Sequence, residues 1–87
     1  MKISVWDTYV KRSDGRIMHF DILVPDHVTD KMRIFDYGRQ HLDSKPFETE
    51  GLKATRCNFC HVEEASSTVV EDIGKRGYSV VELANCD

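Results

Sequence analysis

Residues 2 to 11 read KISVWDTYVK and residues 16 to 24 read RIMHFDILV, with Ser13-Asp14-Gly15 in the turn between them. Both runs alternate apolar and polar side chains and are rich in β-branched and aromatic residues, and the turn carries the residue types that accept positive backbone angles. The pattern predicts a β-hairpin, and Pro25 ends its second strand. Two registers are open. A two-residue Asp14-Gly15 turn pairs Val10 with His19 and Thr8 with Asp21, which sets His19 and Asp21 on one face with Trp6 and Leu23. A three-residue Ser13-Asp14-Gly15 loop instead pairs Tyr9 with His19 and Asp7 with Asp21, making a carboxylate pair that is either acidic chemistry or a cost. The first register keeps like charges apart and is the expected one.

Beyond the hairpin, Asp26 or Thr29 caps a helix predicted from about Asp30 to Leu42, with Met32, Phe35 and Leu42 as its apolar stripe. Gly38 inside it costs about 1 kcal/mol relative to Ala. Residues 43 to 51 form a polar loop. A third strand is expected from Leu52 to about Phe59, extending toward Val62. Ser66 caps a short helix with Val69, Val70 and Ile73 on one face, Gly77 ends it in the left-handed conformation, and Tyr78 to Leu83 read as a fourth strand. The order is β-β-α-β-α-β. Because a strand–helix–strand unit normally makes a right-handed crossover between parallel strands, the expected fold is α+β, with two helices packed on one mixed sheet.

At 87 residues the chain is a single domain spanning 1–87, and at that size it buries roughly 64% of its unfolded surface, enough for one core. Hydrophobic residues make up 40% and charged residues 31%, a globular balance rather than a disordered one. The formal charge is -3 and the 12 Lys and Arg are scattered, so no basic footprint for nucleic acid exists. No stretch approaches membrane-spanning length and Met1 to Val10 lack a secretory apolar core, so the protein is read as cytoplasmic.

Three cysteines in a reducing compartment are thiols, metal ligands or core residues, not a disulfide framework. Cys57-Asn58-Phe59-Cys60-His61 matches the C-x-x-C-H pattern of haem attachment, which is rejected because no export signal is present and the segment before Cys57 reads as strand. Zinc is the better metal reading. Cys57, Cys60 and Cys86 would supply thiolates, with His61, or His19 from the hairpin, completing a tetrahedral set if the crossover delivers all three sulfurs to one rim of the sheet. In a straight strand residues i and i+3 face opposite sides, so chelation by Cys57 and Cys60 needs a turn or bulge at Asn58-Phe59. A redox dithiol fits less well, since neither sulfur sits at a helix N-terminus. Against these stands plain packing of one cysteine in the core.

A second candidate cluster is Thr8, His19 and Asp21, an acid–base constellation or simply a solvated strand face. No nucleophile elbow, phosphate-cradling glycine loop or metalloprotease helix occurs.

The run Val5-Trp6-Asp7-Thr8-Tyr9-Val10, Asp14-Gly15, Met18-His19-Phe20-Asp21, Cys57-Asn58-Phe59-Cys60-His61, Gly77-Tyr78 and the late Cys86 together resemble the bacterial family catalogued as domain of unknown function 2024. The likeness spans nearly the whole chain and departs at Ala84-Asn85-Cys86, where a Gly is expected before the cysteine. It implies a compact α+β domain with two helices on a sheet and brings no activity, substrate or cofactor. The functional expectation is a non-enzymatic binding or interaction module for a protein or small ligand, with a thiol or zinc site at the Cys-x-x-Cys-His cluster as the alternative.

Overall fold

The computed structural model describes residues 1–87, with strands β1 (Lys2–Lys11), β2 (Ile17–Pro25), β3 (Cys57–Glu64) and β4 (Ser79–Ala84) and helices α1 (Lys31–Asp43) and α2 (Ser67–Arg76). The order β-β-α-β-α-β is as expected; the sheet is not mixed. Its strand order is β3-β1-β2-β4 and every neighbouring pair is antiparallel. The hairpin occupies the centre, and each later strand adds to a different free edge of it. The helix between β3 and β4 therefore carries the chain across the full width of the sheet, and the expected parallel crossover does not form.

The hairpin takes the three-residue loop. Arg12 N–H donates to Arg16 O at 2.8 Å and Gly15 N–H to Arg12 O at 3.0 Å, with Gly15 at φ 91° supplying the left-handed residue that closes such a loop. Val10 accordingly pairs with Met18, Thr8 with Phe20, Trp6 with Ile22 and Ser4 with Val24, while Asp7 opposes Asp21 and Tyr9 opposes His19. The charge argument for the other register fails on magnitude. Like charges directly opposed cost up to about 1 kcal/mol. A one-residue slip would turn Met18, Phe20, Ile22 and Val24 away from the face that holds Val10, and each buried apolar side chain is worth about 1.5–3 kcal/mol.

The two faces hold two apolar clusters where a single core was expected. The larger contains Val10, Met18, Phe20, Ile22, Val24, Ile34, Tyr37, Cys57, Tyr78 and Cys86, beneath α1. The smaller, on the opposite face, contains Ile3, Val5, Leu23 and Val69, with Ala65 and Ile73 against it, beneath α2. Helix α1 is capped by Asp30 rather than by Asp26 or Thr29, the Asp30 side chain accepting from Met32 N–H at 3.0 Å. Its buried residues are Ile34, Tyr37 and Gly38; of the expected Met32, Phe35 and Leu42 stripe only Leu42 packs against the core, and Met32 is 75% exposed. Gly38 lets the helix approach closely, because a Cβ there would lie 2.6 Å from Leu52 Cδ2 and 3.1 Å from Ile22 Cδ1. The Ser66 and Gly77 caps of α2 are as read from the sequence, with Gly77 at φ 89°. Strand β3 starts later than expected, since Ala54–Arg56 form a 3-10 turn.

Asn85 stands where the resemblance predicts Gly before Cys86, and the backbone there suits either residue. Asn85 has φ 54°, the left-handed region that Gly favours and Asn tolerates, and its side chain donates to Ile17 O at 2.8 Å. Arg12, buried, donates to Asn85 O and Asp87 O at 3.1 and 2.7 Å and stacks over Phe47 at 3.7 Å, tying the hairpin end to the tail and to the loop after α1. Replacing Asn85 by Ala removes the hydrogen bond and leaves the strained backbone, so urea denaturation should register a loss of about 1–2 kcal/mol. Asn85→Gly, which loses the bond but relieves the strain, should stay within about 0.5 kcal/mol of wild type.

Candidate functional site

On the face partly covered by α2, that helix packs over Ile3, Val5 and Leu23 and meets β4 where Ser79 Oγ donates to Asp72. The next residues along the same face are Asp7 and Tyr9 on β1 and Asp21 and His19 on β2, all partly exposed or exposed. Asp7 and Asp21 sit directly opposite each other at the centre of the sheet. His19 Nε2 lies 2.5 Å from Asp7 Oδ1 and 4.0 Å from Asp21 Oδ1. The imidazole is held flat by Tyr9, with ring centroids 4.2 Å apart and planes 8° from parallel. Neither carboxylate has a Lys or Arg partner. Burial, and after it the negative charge of Asp7, holds the Asp21 carboxyl above its usual range, and the His19 and His61 charges only partly oppose this.

The cluster Thr8, His19 and Asp21 is thus changed in one member. Thr8 points to the other face, wholly buried, where its hydroxyl donates to Trp6 O at 3.1 Å and lies 3.6 Å from Cys57 Sγ. Asp7 takes its place. The missed signal was available: matching the apolar faces of the two strands selects the register in which Asp7 meets Asp21.

The cysteine cluster is not assembled. Strands β3 and β4 are the two edges of the sheet, with β1 and β2 between them. Cys57 opens β3 rather than lying toward its end, and it is fully buried in the larger core. Cys86 is buried past β4, its thiol donating to Ala84 O at 3.2 Å and lying 3.4 Å from His19 O. Cys60 is exposed. Along β1 the pairing passes from Trp6–Phe59 to Val5–His61, so Cys60 is the extra residue of a β-bulge. The bulge needed for chelation is present, but it turns Cys60 outward instead of back onto Cys57. Of the His, Cys, Asp and Glu side chains, Asp7, His19 and Asp21 form the group of three whose ligating atoms all lie within 4.8 Å of one another. Cys57, Cys60, His61 and Cys86 form no such group, and the four-ligand zinc set read from the sequence is withdrawn on that geometry.

Cys60 and His61 remain neighbours. His61 Nδ1 is 3.2 Å from Cys60 Sγ and its Nε2 is 2.8 Å from Glu63 Oε1. Burial pushes the Cys57 thiol up; burial and then the charge of Glu82 push up that of Cys86. No concavity joins His19 and Asp21 to any cysteine, which removes a shared acid–base and thiol site. With a water-soluble aromatic disulfide reagent, one thiol, Cys60, should react in the folded chain, and all three after denaturation. Labelling of Cys57 in the native state, shown by peptide mass, would contradict the buried placement.

No helix is long and apolar enough to cross a membrane. Comparison with curated proteins gives no match. Among solved structures the chain is similar to the NMR structure of protein NE1680 from Nitrosomonas europaea, at 37% identity over 100% of both chains with a TM-score of 0.84. Residues 1–83 match the family described as "Domain of unknown function (DUF2024)", and with a likeness that spans the hairpin, both helices and all four strands, the chain belongs to that family.

Proposed function

We propose that the protein is a small non-enzymatic binding module that receives its ligand on the half-face left open by α2. The observation that carries this reading is the direct opposition of Asp7 and Asp21, with only His19 between them and no Lys or Arg to neutralise them. Natural sequences keep a locally unfavourable arrangement at binding sites and compensate for it elsewhere in the fold. Here the compensation is the apolar face of Met18, Phe20, Ile22 and Val24, which holds the register regardless of the charges.

The enzymatic alternative lacks its parts. His19 has two acidic neighbours but no nucleophile, and none of the surface concavities, of about 100, 550, 230 and 320 Å³, is lined by Asp7, His19 or Asp21. The opposed Asp7 and Asp21 carboxylates, unpaired with Lys or Arg, favour a positively charged ligand there.

Asp21→Asn tests the reading without any ligand. It keeps shape and hydrogen-bonding capacity while removing one of two opposed charges, and is expected to stabilise the fold by about 0.5 kcal/mol, or about 2–4 °C in melting temperature. The pH dependence has a defined sign. Asp21 has a folded pKa above the unfolded value near 3.8, so the stability of its protonated form is complete below that value and is lost as pH rises through the raised folded value. The advantage of Asp21→Asn should therefore be absent at the acid end and open as pH rises. Destabilisation by Asp21→Asn at neutral pH would mean that the pair serves the fold, and the binding reading would be abandoned.

A further inference from the structure

We propose that Asp7, His19 and Asp21 form a site for one divalent first-row transition cation, bound by two carboxylate oxygens and the imidazole Nε2, with water in the remaining positions. This inference rests on the reading of the open half-face as the binding surface.

The three ligating atoms all lie within 4.8 Å of one another, and the two measured separations from Nε2 are 2.5 and 4.0 Å. Three ligands of a cation at about 2.1 Å stand about 3.0–3.4 Å apart in octahedral or tetrahedral arrangement, so the observed spacings bracket the required one. Side-chain adjustments of about an ångström convert one into the other, and Asp7 and Asp21 need no backbone movement because strand pairing already fixes them opposite each other. The imidazole is likewise set in place, since its stack on Tyr9 fixes the ring plane with Nε2 turned toward both carboxylates. Ligation replaces the close Asp7–His19 hydrogen bond. The cation takes the Nε2 lone pair, so the imidazole binds as the neutral tautomer with its proton on Nδ1, any proton held between Nε2 and Asp7 Oδ1 passes to solvent, and the cation takes the position between the three groups.

The ligand types set the class of ion. An imidazole nitrogen disfavours magnesium and calcium, which take all-oxygen sets, and the absence of a thiolate disfavours a closed structural zinc centre. Two carboxylates and one imidazole suit manganese(II), iron(II) or zinc in an open site. The cation also answers the electrostatic problem of the half-face. Two carboxylates that are 36% and 22% exposed, neither in an ion pair with Lys or Arg, acquire a divalent counter-charge. The chemistry thus goes beyond an acidic patch, because the same three side chains supply geometry, mixed donors and an unneutralised charge.

The test is calorimetric titration of the whole chain with zinc chloride, run beside Cys60→Ser, which removes the exposed thiol beside His61 as a competing ligand. One ion per chain is expected, with affinity unchanged in Cys60→Ser and at least tenfold weaker in Asp21→Asn and in His19→Gln. Manganese(II) at substoichiometric ratio should broaden the amide resonances of Asp7, Tyr9, His19 and Asp21 before those of β3 or β4. Affinity that survives both Asp21→Asn and His19→Gln, or vanishes in Cys60→Ser, overturns the assignment, as does the absence of binding by wild type. Folded variants are confirmed by their amide spectra. The melting experiment on Asp21→Asn contains no metal, so failure of the open-face reading is registered separately from failure of the metal site.

Discussion

The register of the central hairpin is the constraint on which the rest of the structure depends. Gly15 in the left-handed region makes a three-residue loop available, and the loop length sets which residues meet across β1 and β2. In that register Val10, Met18, Phe20, Ile22 and Val24 share a face and form the floor under α1. The same alternation commits Ile3, Val5 and Leu23 to the opposite face, where α2 covers them. It also forces Asp7 onto Asp21. The electrostatically awkward pair is a direct consequence of the packing that stabilises the domain, and no rearrangement separates the two carboxylates without turning the core outward.

The remaining elements are fastened to that hairpin by a few close contacts. Tyr37 of α1 stacks on Tyr78 at 4.4 Å, and the space for this exists because residue 77 is glycine, whose absent Cβ would lie 2.7 Å from the Tyr37 hydroxyl. Gly77 thus serves the left-handed cap of α2 and the approach of α1 at once. His41 of α1 meets Glu82 of β4 at 2.9 Å, with Lys45 on the same carboxylate, which anchors the outer strand to the helix. Arg12 performs the corresponding task at the other end of the sheet, where one guanidinium bridges the hairpin, the loop after α1 and the terminal carbonyls. Both helices are held on opposite faces, and the part of the sheet that neither reaches is the part that carries Asp7, Tyr9, His19 and Asp21.

The fate of the two candidate clusters follows from the sheet order. A CxxCH motif gathers metal ligands only if its backbone turns back on itself, and in β3 the bulge at Cys60 sends that side chain outward while Cys57 is drawn into the core beside Thr8. Cys86 belongs to the far edge strand. The polar cluster fared better because its members lie on adjacent strands joined by a short loop, so their meeting depends on local pairing alone. Its one wrong member, Thr8, came from weighing charge repulsion above apolar burial, a comparison that the magnitudes decide the other way.

The hairpin, the caps of α2 and the element order were legible in the sequence because each depends on neighbours within a few residues: alternation for the strands, Ser66 and Gly77 for α2, and Pro25 for the end of β2. The buried face of α1 was not, because Ile34, Tyr37 and Gly38 follow the helical spacing as well as Met32, Phe35 and Leu42 do, and only the sheet beneath decides which stripe is covered. Only the tertiary structure decided that β3 and β4 add to opposite edges, which makes the sheet antiparallel throughout and separates the thiols. Pairing between strands distant in sequence is chosen by the free edges and covered faces that the hairpin presents, and those exist only once the hairpin has formed.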